Sequence, residues 1–222
     1  MLICTTASLK LHRKGRTLVK FRYITIEREY GSGARMIGEK LAQRLGLPCY
    51  GTQILSMAAK KLDTTVERAR SLEEKSVGSL LYTIEMMGRI ANGDTNSAPK
   101  SVQLHATEQS IIQELAQMGP AVFVGRCAGF ALRNEKRVLH VFIRADWETK
   151  KRRVIEEYGV NPDMAETFMK QIDKRRANYY FSNTGKRWKD PAEYHMLLDS
   201  SVIGIDNCVD ILAAAMKEQT AD

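Results

Sequence analysis

The chain of 222 residues is long enough for one domain with a substantial buried core and is short for two. Its hydrophobic fraction of 44% and its charged fraction of 27% are ordinary for a soluble globular protein. No stretch approaches the roughly 18 consecutive apolar residues of a membrane helix. The N-terminal MLICTTAS segment lacks the preceding basic region of a secretory signal.

Four cysteines are spread widely along the chain, at Cys4, Cys49, Cys127 and Cys208, and no pair has the C-x-x-C spacing. This spacing argues against a zinc site and against a disulfide framework. Free thiols are typical of a reducing compartment, so we expect a cytoplasmic protein.

Most of the positive charge lies at the N-terminus. The formal net charge is +8, and residues 1–22 contain six lysines and arginines and no acidic residue, which leaves +2 for the rest of the chain. We therefore expect a basic arm over residues 1–20 and a single domain over residues 21–222. The nearly balanced charge of the domain argues against a nucleic-acid partner, and the arm is the one candidate for such binding.

The first predicted element is a strand, because the run from Phe21 to Ile26 is β-branched and aromatic. A glycine turn follows at Gly31-Ser32-Gly33. Apolar residues then recur with helical spacing from Met36 to Leu45, before Gly46. A strand, a glycine turn and a helix in this order are typical of the opening of a parallel α/β domain.

Residues 51–117 have an almost wholly helical pattern of apolar residues. We therefore expect an all-helical insertion here, between two core segments, 21–50 and 118–222. Its predicted parts are helices around 54–58, 80–90 and 111–115, a further helix that starts at the capping box Thr64-Thr-Val-Glu67, and a polar loop at 91–99.

Beyond the insertion, short apolar runs alternate with helical patterns again. This rhythm predicts a five-stranded parallel sheet with helices on both faces. The predicted strands are 121–124, 138–143 and 195–199, and the predicted helices are 147–158, one from Asn161-Pro162 into Asp173–Arg176, and one from Ile205, with a loop at 182–190.

The glycine turn Gly31-Ser32-Gly33 is a candidate phosphate site, because backbone N–H groups at a helix N-terminus bind anions. The G-K-[ST] of a P-loop is missing: Ala34 stands at the lysine position and Met36 at the Ser/Thr position. Arg35 is the cation of this turn and can replace the lysine, since a guanidinium binds phosphate oxygens bidentately. The alternative is a plain strand-to-helix turn with a solvated Arg35.

Four motifs occur in order along the chain. They are Ile24-Thr-Ile-Glu-Arg-Glu-Tyr-Gly-Ser-Gly33, Glu74-Lys-Ser76 with Leu80-Leu-Tyr82, Val124-Gly-Arg-Cys-Ala128, and Asp173-Lys-Arg-Arg-Ala-Asn-Tyr-Tyr180 with Thr184-Gly-Lys186. Together they resemble the cytidylate kinase-like family, from about Phe21 to Leu212. The resemblance implies a P-loop fold of the nucleoside monophosphate kinase type, with three layers, a helical acceptor-binding insertion and a mobile lid at about 160–190.

The resemblance also implies roles for the lid. Arg175, Arg176 and Asp173 would act in catalysis together with Arg35, and Lys174 and Lys186 would bind nucleotide phosphates beside the glycine turn. Phosphoryl transfer requires positioning and positive charge from the protein, and a lid supplies both when it closes. A charged face of a surface helix is the alternative.

For the acceptor, Arg126 resembles the Gly-Arg arginine of cytidylate kinases, and Thr52 matches an acceptor-binding serine. Three positions depart from the family pattern: Cys127 stands for an aspartate, Met57 for the arginine that binds the monophosphate, and Tyr179 for a lid arginine. These departures bear on CMP specificity more than on nucleotide binding.

The implied activity is ATP-dependent phosphorylation of a nucleoside monophosphate, with CMP or dCMP favoured, using Mg²⁺. Because Met36 removes the usual protein ligand, the metal would rest on phosphates, water and a carboxylate, for which Asp173 and Glu27 are candidates. One alternative is a kinase of another small acceptor, and a second is a catalytically weak nucleotide-binding or regulatory protein. A third is an RNA-associated protein that acts through the basic arm. Nothing in the sequence indicates the oligomeric state.

Overall fold

The computed structural model describes residues 20–75 and 99–217. Three predicted features lie outside these ranges: the basic arm up to residue 19, the helix around 80–90, and the polar loop up to residue 98.

In the described residues, five parallel strands form one sheet, as predicted. They are β1 (Tyr23–Arg28), β2 (Cys49–Tyr50), β3 (Ala121–Val124), β4 (Val138–Arg144) and β5 (Met196–Asp199). Their order across the sheet is β2-β3-β1-β4-β5, and each neighbouring pair is parallel. β2 was not predicted, because two residues are too short to show a strand pattern.

The helices predicted within the described residues are all present. The helices are α1 (Ala34–Leu45), α2 (Thr52–Lys61), α3 (Val66–Lys75), α4 (Lys100–Met118), α5 (Ala128–Ala131), α6 (Trp147–Glu156), α7 (Pro162–Thr184), α8 (Ser200–Ile203) and α9 (Ile205–Met216), with a 3₁₀ turn at Pro191–Glu193. None of the described helices is both long and apolar enough to span a bilayer.

The predicted start of α3 is wrong by one residue. Thr65, rather than Thr64, is the capping residue, and its Oγ1 accepts a hydrogen bond from the backbone N–H of Arg68 at 3.1 Å. Two threonines in tandem offer the same chemistry, and the first residue with helical backbone, Val66, decides which of them caps.

The predicted loop at 182–190 begins too early, because α7 continues to Thr184. The side chain of Asn183 donates to the carbonyl of Tyr179 at 2.8 Å, so a loop-forming residue instead stabilises the last helical turn. Gly185, with a φ of 72°, then ends the helix.

Alternate residues of β1 face two different cores, as the period of two along a strand requires. Ile24 and Ile26 pack with α1 and α9 on one face of the sheet. Tyr23 points to the other face, packs with the insertion helices α2 and α4, and donates its hydroxyl hydrogen to the carbonyl of Ala116 at 2.7 Å. The insertion therefore shares a core with the sheet.

Two tight turns lie side by side at the carboxyl edge of the sheet, where parallel α/β proteins bind ligands. After β1, Gly31 and Gly33 have φ values of 78° and 74°. After β3, Gly125, Arg126 and Cys127 have φ values of 78°, 61° and 53°. For residues with a Cβ this backbone costs about 1–2 kcal/mol each, so the second turn is strained.

We expect Gly33→Ala to destabilise the fold more than Gly46→Ala. Both glycines flank α1 with positive φ, so alanine meets a similar backbone cost of about 1–2 kcal/mol at each. At Gly33 the new methyl would also overlap Cδ1 of Ile205 and lie 3.2 Å from Nη1 of Arg153, whereas at Gly46 it meets nothing within 4 Å. The extra loss in the free energy of unfolding, measured in urea, should be roughly 1–2 kcal/mol. Equal losses would show that the turn has room for a side chain.

Candidate functional site

A cavity of about 430 Å³ opens at the carboxyl edge of the sheet, between the ends of β1 and β3, the insertion helices and α7. It brings together four residues that the sequence assigned to the acceptor and to the lid: Thr52, Arg126, Arg175 and Arg176. The full lining is Glu27, Arg28, Tyr30, Thr52, Arg70, Glu73, Arg126, Cys127, Ile172, Arg175, Arg176, Tyr179 and Tyr180.

Sequence reasoning missed two arginines of this cavity. Arg28 is the last residue of β1, and Arg70 lies on α3. The position of Arg28 at the end of a parallel strand was a usable signal, whereas nothing in the sequence distinguishes Arg70 from its charged neighbours. With them the lining holds five arginines against two carboxylates, so the cavity suits an anionic ligand.

The glycine of the Gly-Arg motif makes room for Arg28. A Cβ on Gly125 would overlap the guanidinium of Arg28, which therefore packs directly on the strained turn. The same guanidinium lies 3.8 Å from the carboxylate of Glu27, at the buried end of β1. Gly125 thus allows Arg28 to lie close to the turn that contains Arg126. The like charges of the two arginines are stabilised by neighbouring carboxylates.

Two carboxylates bind the guanidinium of Arg126, and both come from the insertion. Nη1 of Arg126 pairs with Glu73 of α3 and donates to Oε1 of Glu108 of α4 at 3.2 Å. The side-chain amide of Gln109 donates to the carbonyl of Arg126 at 3.3 Å. These contacts hold the strained turn against the insertion.

Glu108 is fully buried and also accepts a hydrogen bond from the hydroxyl of Tyr179, on α7. Nδ1 of His105 lies 3.1 Å from the same hydroxyl oxygen. Burial raises the pKa of Glu108 to about 7, and the hydrogen bond from Tyr179 opposes the shift. Burial lowers the pKa of His105 to about 3, so this imidazole is neutral and can donate to Tyr179.

Helix α7, which contains the predicted lid residues, reaches the end of β1 through Asp173 and Arg176. The backbone N–H of Tyr30 donates to Oδ1 of Asp173 at 2.7 Å, and Nη1 of Arg176 donates to the carbonyl of Arg28 at 3.0 Å. Burial and the neighbouring Arg28 lower the pKa of Arg176 to about 9, and burial raises the pKa of Asp173. Both residues therefore lie beside the start of the glycine turn.

The glycine turn packs against α6 and α8. Ser32 is buried, and its hydroxyl donates to the carbonyl of Glu29 at 2.8 Å rather than facing outward. The hydroxyl of Ser200 donates to the carbonyl of Ser32 at 2.6 Å, and Nη1 of Arg153 donates to the carbonyl of Gly31 at 3.3 Å. A buried arginine that the sequence analysis did not select thus lies at the turn.

Arg35 lies on the exposed side of α1. Its side chain is 73% exposed, and its Nε donates to Glu39 at 2.8 Å. Lys150 of α6 is more buried and pairs with Glu29 at 2.8 Å, and Lys189 pairs with the same carboxylate. These two ion pairs hold the pKa of Glu29 below its usual value. The cations packed against the turn therefore come from other elements than α1.

Two predicted phosphate-binding lysines lie apart from the arginine cavity. Lys174 lines a second cavity with Asp173 and Arg187, on another side of α7. Lys186 lines a third, with His140 and Glu193, and pairs with Glu193 at 2.6 Å. Neither lysine lines the cavity that contains Arg175 and Arg176.

The residues around the glycine turn suit the phosphates of the ATP that the resemblance implies. The N-terminus of α1 has no side-chain cap, and Arg153 lies beside Gly33, so N–H donors and positive charge suit a phosphate chain. Within residues 20–75 and 99–217, no group of three His, Cys, Asp or Glu could hold a metal ion.

The strand order and the glycine turn define a P-loop kinase fold. The model of the cytidylate kinase-like family matches residues 23–202, so the chain belongs to the cytidylate kinase-like family. No curated protein matches the sequence.

Several solved structures are similar to this chain. A crystal structure of an uncharacterized protein from Eubacterium ventriosum has a TM-score of 0.65 at 24% identity, covering 87% of this chain and 97% of that chain. Shikimate kinases from Bacteroides thetaiotaomicron and from Acinetobacter baumannii, the latter in complex with shikimate, are both 15% identical, with TM-scores of 0.48 and 0.47. They cover 86% and 89% of this chain and 96% and 93% of their own, and are too distant to support an argument about its site.

We expect Glu108→Gln to become more stable relative to the wild type as the pH rises from 5 to 8. A carboxyl whose pKa is raised in the native state contributes most stability below its unfolded pKa, near 4.5, and loses it as the pH rises through about 7. Glutamine cannot ionise, so the difference in the free energy of unfolding should shift by on the order of 1–3 kcal/mol. Urea unfolding at several pH values measures it. A constant difference would mean that Glu108 ionises with an ordinary pKa.

Proposed function

We propose that this protein is a cytoplasmic phosphotransferase that moves a phosphoryl group from ATP to a nucleoside monophosphate, with CMP or dCMP favoured. The observation that carries the proposal is the arginine-lined cavity beside the glycine turn, in a chain of the cytidylate kinase-like family. The free thiols Cys49, Cys127 and Cys208 agree with a reducing compartment.

On the acceptor side, Arg126, Arg28 and Arg70 would bind the phosphate, and Thr52 would contact the nucleoside. The cavity volume of about 430 Å³ lies in the range of small-molecule sites. Guanidinium groups suit this role because they remain charged and bind phosphate oxygens in pairs.

On the donor side, ATP would supply the transferred phosphoryl group at the glycine turn Gly31-Ser32-Gly33. Backbone N–H groups of the turn and the buried Arg153 would hold its phosphates. Arg35 remains a candidate, because an exposed pair with Glu39 is worth little and a phosphate could replace the carboxylate.

Arg175, Arg176 and Asp173 would act nearest the transferred group, since they lie on α7 where the cavity meets the start of the glycine turn. Their part is to hold negative charge and to exclude water rather than to form bonds. Lys174 precedes them on the same helix but lines another cavity, so Lys174 and Lys186 would bind nucleotide phosphates from outside the arginine cavity.

Two alternatives follow from particular positions. Met57 is exposed on α2, and Cys127 is buried, with its pKa raised by burial, so neither supplies the polar contact that cytidylate kinases have there. These changes favour a kinase of another small anionic acceptor. The missing lysine at Ala34 favours a weak nucleotide-binding or regulatory protein.

The first test is ATP consumption by the purified full chain with Mg²⁺ across CMP, dCMP, UMP, AMP and GMP. We expect turnover with CMP or dCMP to exceed that with the others, because the family relation favours cytidine nucleotides. Turnover that begins only with a different small anionic acceptor would support the first alternative. Nucleotide binding without turnover on any acceptor would support the second.

The second test separates the acceptor arginine from a general effect of charge. Arg126→Ala should raise the KM for the monophosphate at least tenfold while the KM for ATP changes little, because a buried charged hydrogen bond is worth about 1.5–3 kcal/mol. Arg133→Ala is the matched control, since this exposed arginine lies outside the cavity and donates to the carbonyl of Phe130. The same rise in both variants would remove Arg126 from the acceptor site.

A further inference from the structure

The two carboxylates that bind Arg126, Glu73 and Glu108, lie on α3 and α4, whereas the family pattern places a carboxylate directly after the arginine. Cys127, at the aspartate position, is buried among apolar and aromatic side chains and cannot serve as a charged acceptor. Glu108 of α4 instead accepts from Arg126 at 3.2 Å. Since Glu108 is fully buried, this contact holds one charged group against another away from water.

A second departure completes the same arrangement. Tyr179 stands where a lid arginine is expected, and its hydroxyl donates to the other oxygen of Glu108, Oε2. An arginine here would place a second cation beside Arg126, whereas a tyrosine supplies a donor without a charge. Glu108 is thus bound on one oxygen by the acceptor turn and on the other by the lid helix.

We propose that Glu108 positions Arg126 for the acceptor and that Tyr179 makes this positioning depend on the place of the lid helix α7. The family's aspartate is replaced by Cys127, and its lid arginine is replaced by Tyr179. These two replacements then compensate each other. The kinetic part of this inference rests on the proposed function, whereas the contact between the three residues does not.

The physical reason for the coupling is the cost of a buried carboxylate. If α7 moves away, the hydroxyl of Tyr179 leaves Oε2 of Glu108, and a buried polar atom loses its donor. His105 cannot replace it, because its Nδ1 reaches the tyrosine oxygen rather than Glu108. The carboxylate of Glu108 then becomes more stable if it moves or takes up a proton. Either change weakens its hydrogen bond with Arg126.

The test compares near-isosteric variants of the full chain with matched controls that change other contacts of α4. Glu108→Gln and Tyr179→Phe probe the contact. Tyr23→Phe removes another buried tyrosine hydrogen bond to α4, at Ala116, and Glu114→Gln changes an exposed glutamate of α4 that pairs with Lys61. Neither control residue lies in the arginine cavity.

The first measurement needs no activity. The Nη–H signals of Arg126 are recorded by ¹⁵N NMR at pH 8 and assigned with Arg126→Lys. We expect slowly exchanging signals in the wild type and in both controls, and their loss or displacement in Glu108→Gln and in Tyr179→Phe. Unchanged Arg126 signals in Tyr179→Phe, or equal changes in Tyr23→Phe, would overturn the proposal.

The second measurement is steady-state kinetics with CMP as the acceptor. The KM for CMP should rise on the order of tenfold in Glu108→Gln and in Tyr179→Phe, with kcat within about twofold and both controls unchanged. The double variant should be no worse than the more affected single one, because both changes break one contact. An altered Arg126 signal with an unchanged KM would overturn the positioning role. If the wild type phosphorylates no monophosphate, the proposed function fails, and the NMR comparison still decides the contact.

Discussion

The pairing of the largely buried Arg126 guanidinium with two carboxylates is the interaction on which the rest of the site depends. A charge at the covered edge of a sheet is stable only with close partners, because its desolvation costs several kcal/mol. The partners, Glu73 and Glu108, lie on α3 and α4. The insertion must therefore pack against the carboxyl edge of the sheet, and this packing in turn maintains the strained backbone of the turn after β3.

The same principle orders the glycine turn. Glu29 binds Lys150 and Lys189, and Asp173 accepts from the backbone N–H of Tyr30. In each case a carboxylate of the chain satisfies a donor that could bind a phosphate. Anion binding at these positions would exchange one negative partner for another, and the exchange favours ligands that bring more than one oxygen to each cation.

Large parts of the fold were predictable from the sequence because they follow from local patterns. The apolar run of β1, the glycine turn and the amphipathic helices each have a period or a turn residue that a single segment carries. The errors were local too: tandem threonines at the start of α3 offered two caps, and Asn183 bonded within α7 rather than in a loop. β2 was missed because two residues have no period.

The candidate site was predictable only in part. Arg126 could be found, because a strand and a motif mark its position. Arg28 had a signal in its place at the end of β1, but Arg70 and Glu108 had none, since their neighbours in the site are far away in sequence. Arg35 shows the reverse case: its position beside the turn suggested a phosphate contact, yet its side chain pairs with Glu39 on the outer face of α1.

The sequence by itself determined the order of the longer strands and helices along the chain, the parallel sheet, the glycine turn and the lack of a lysine in it. The elements and the turn depend on residues within one segment, and the parallel sheet follows from the alternation of strands and helices, so a linear pattern contains them. Only the tertiary structure decided which carboxylates pair with Arg126, that Arg153 rather than Arg35 packs on the glycine turn, and that Tyr179 links α7 to α4. Charge pairing in a buried site is set by distance in space, and that distance exists only once the sheet has brought the separate segments to one edge.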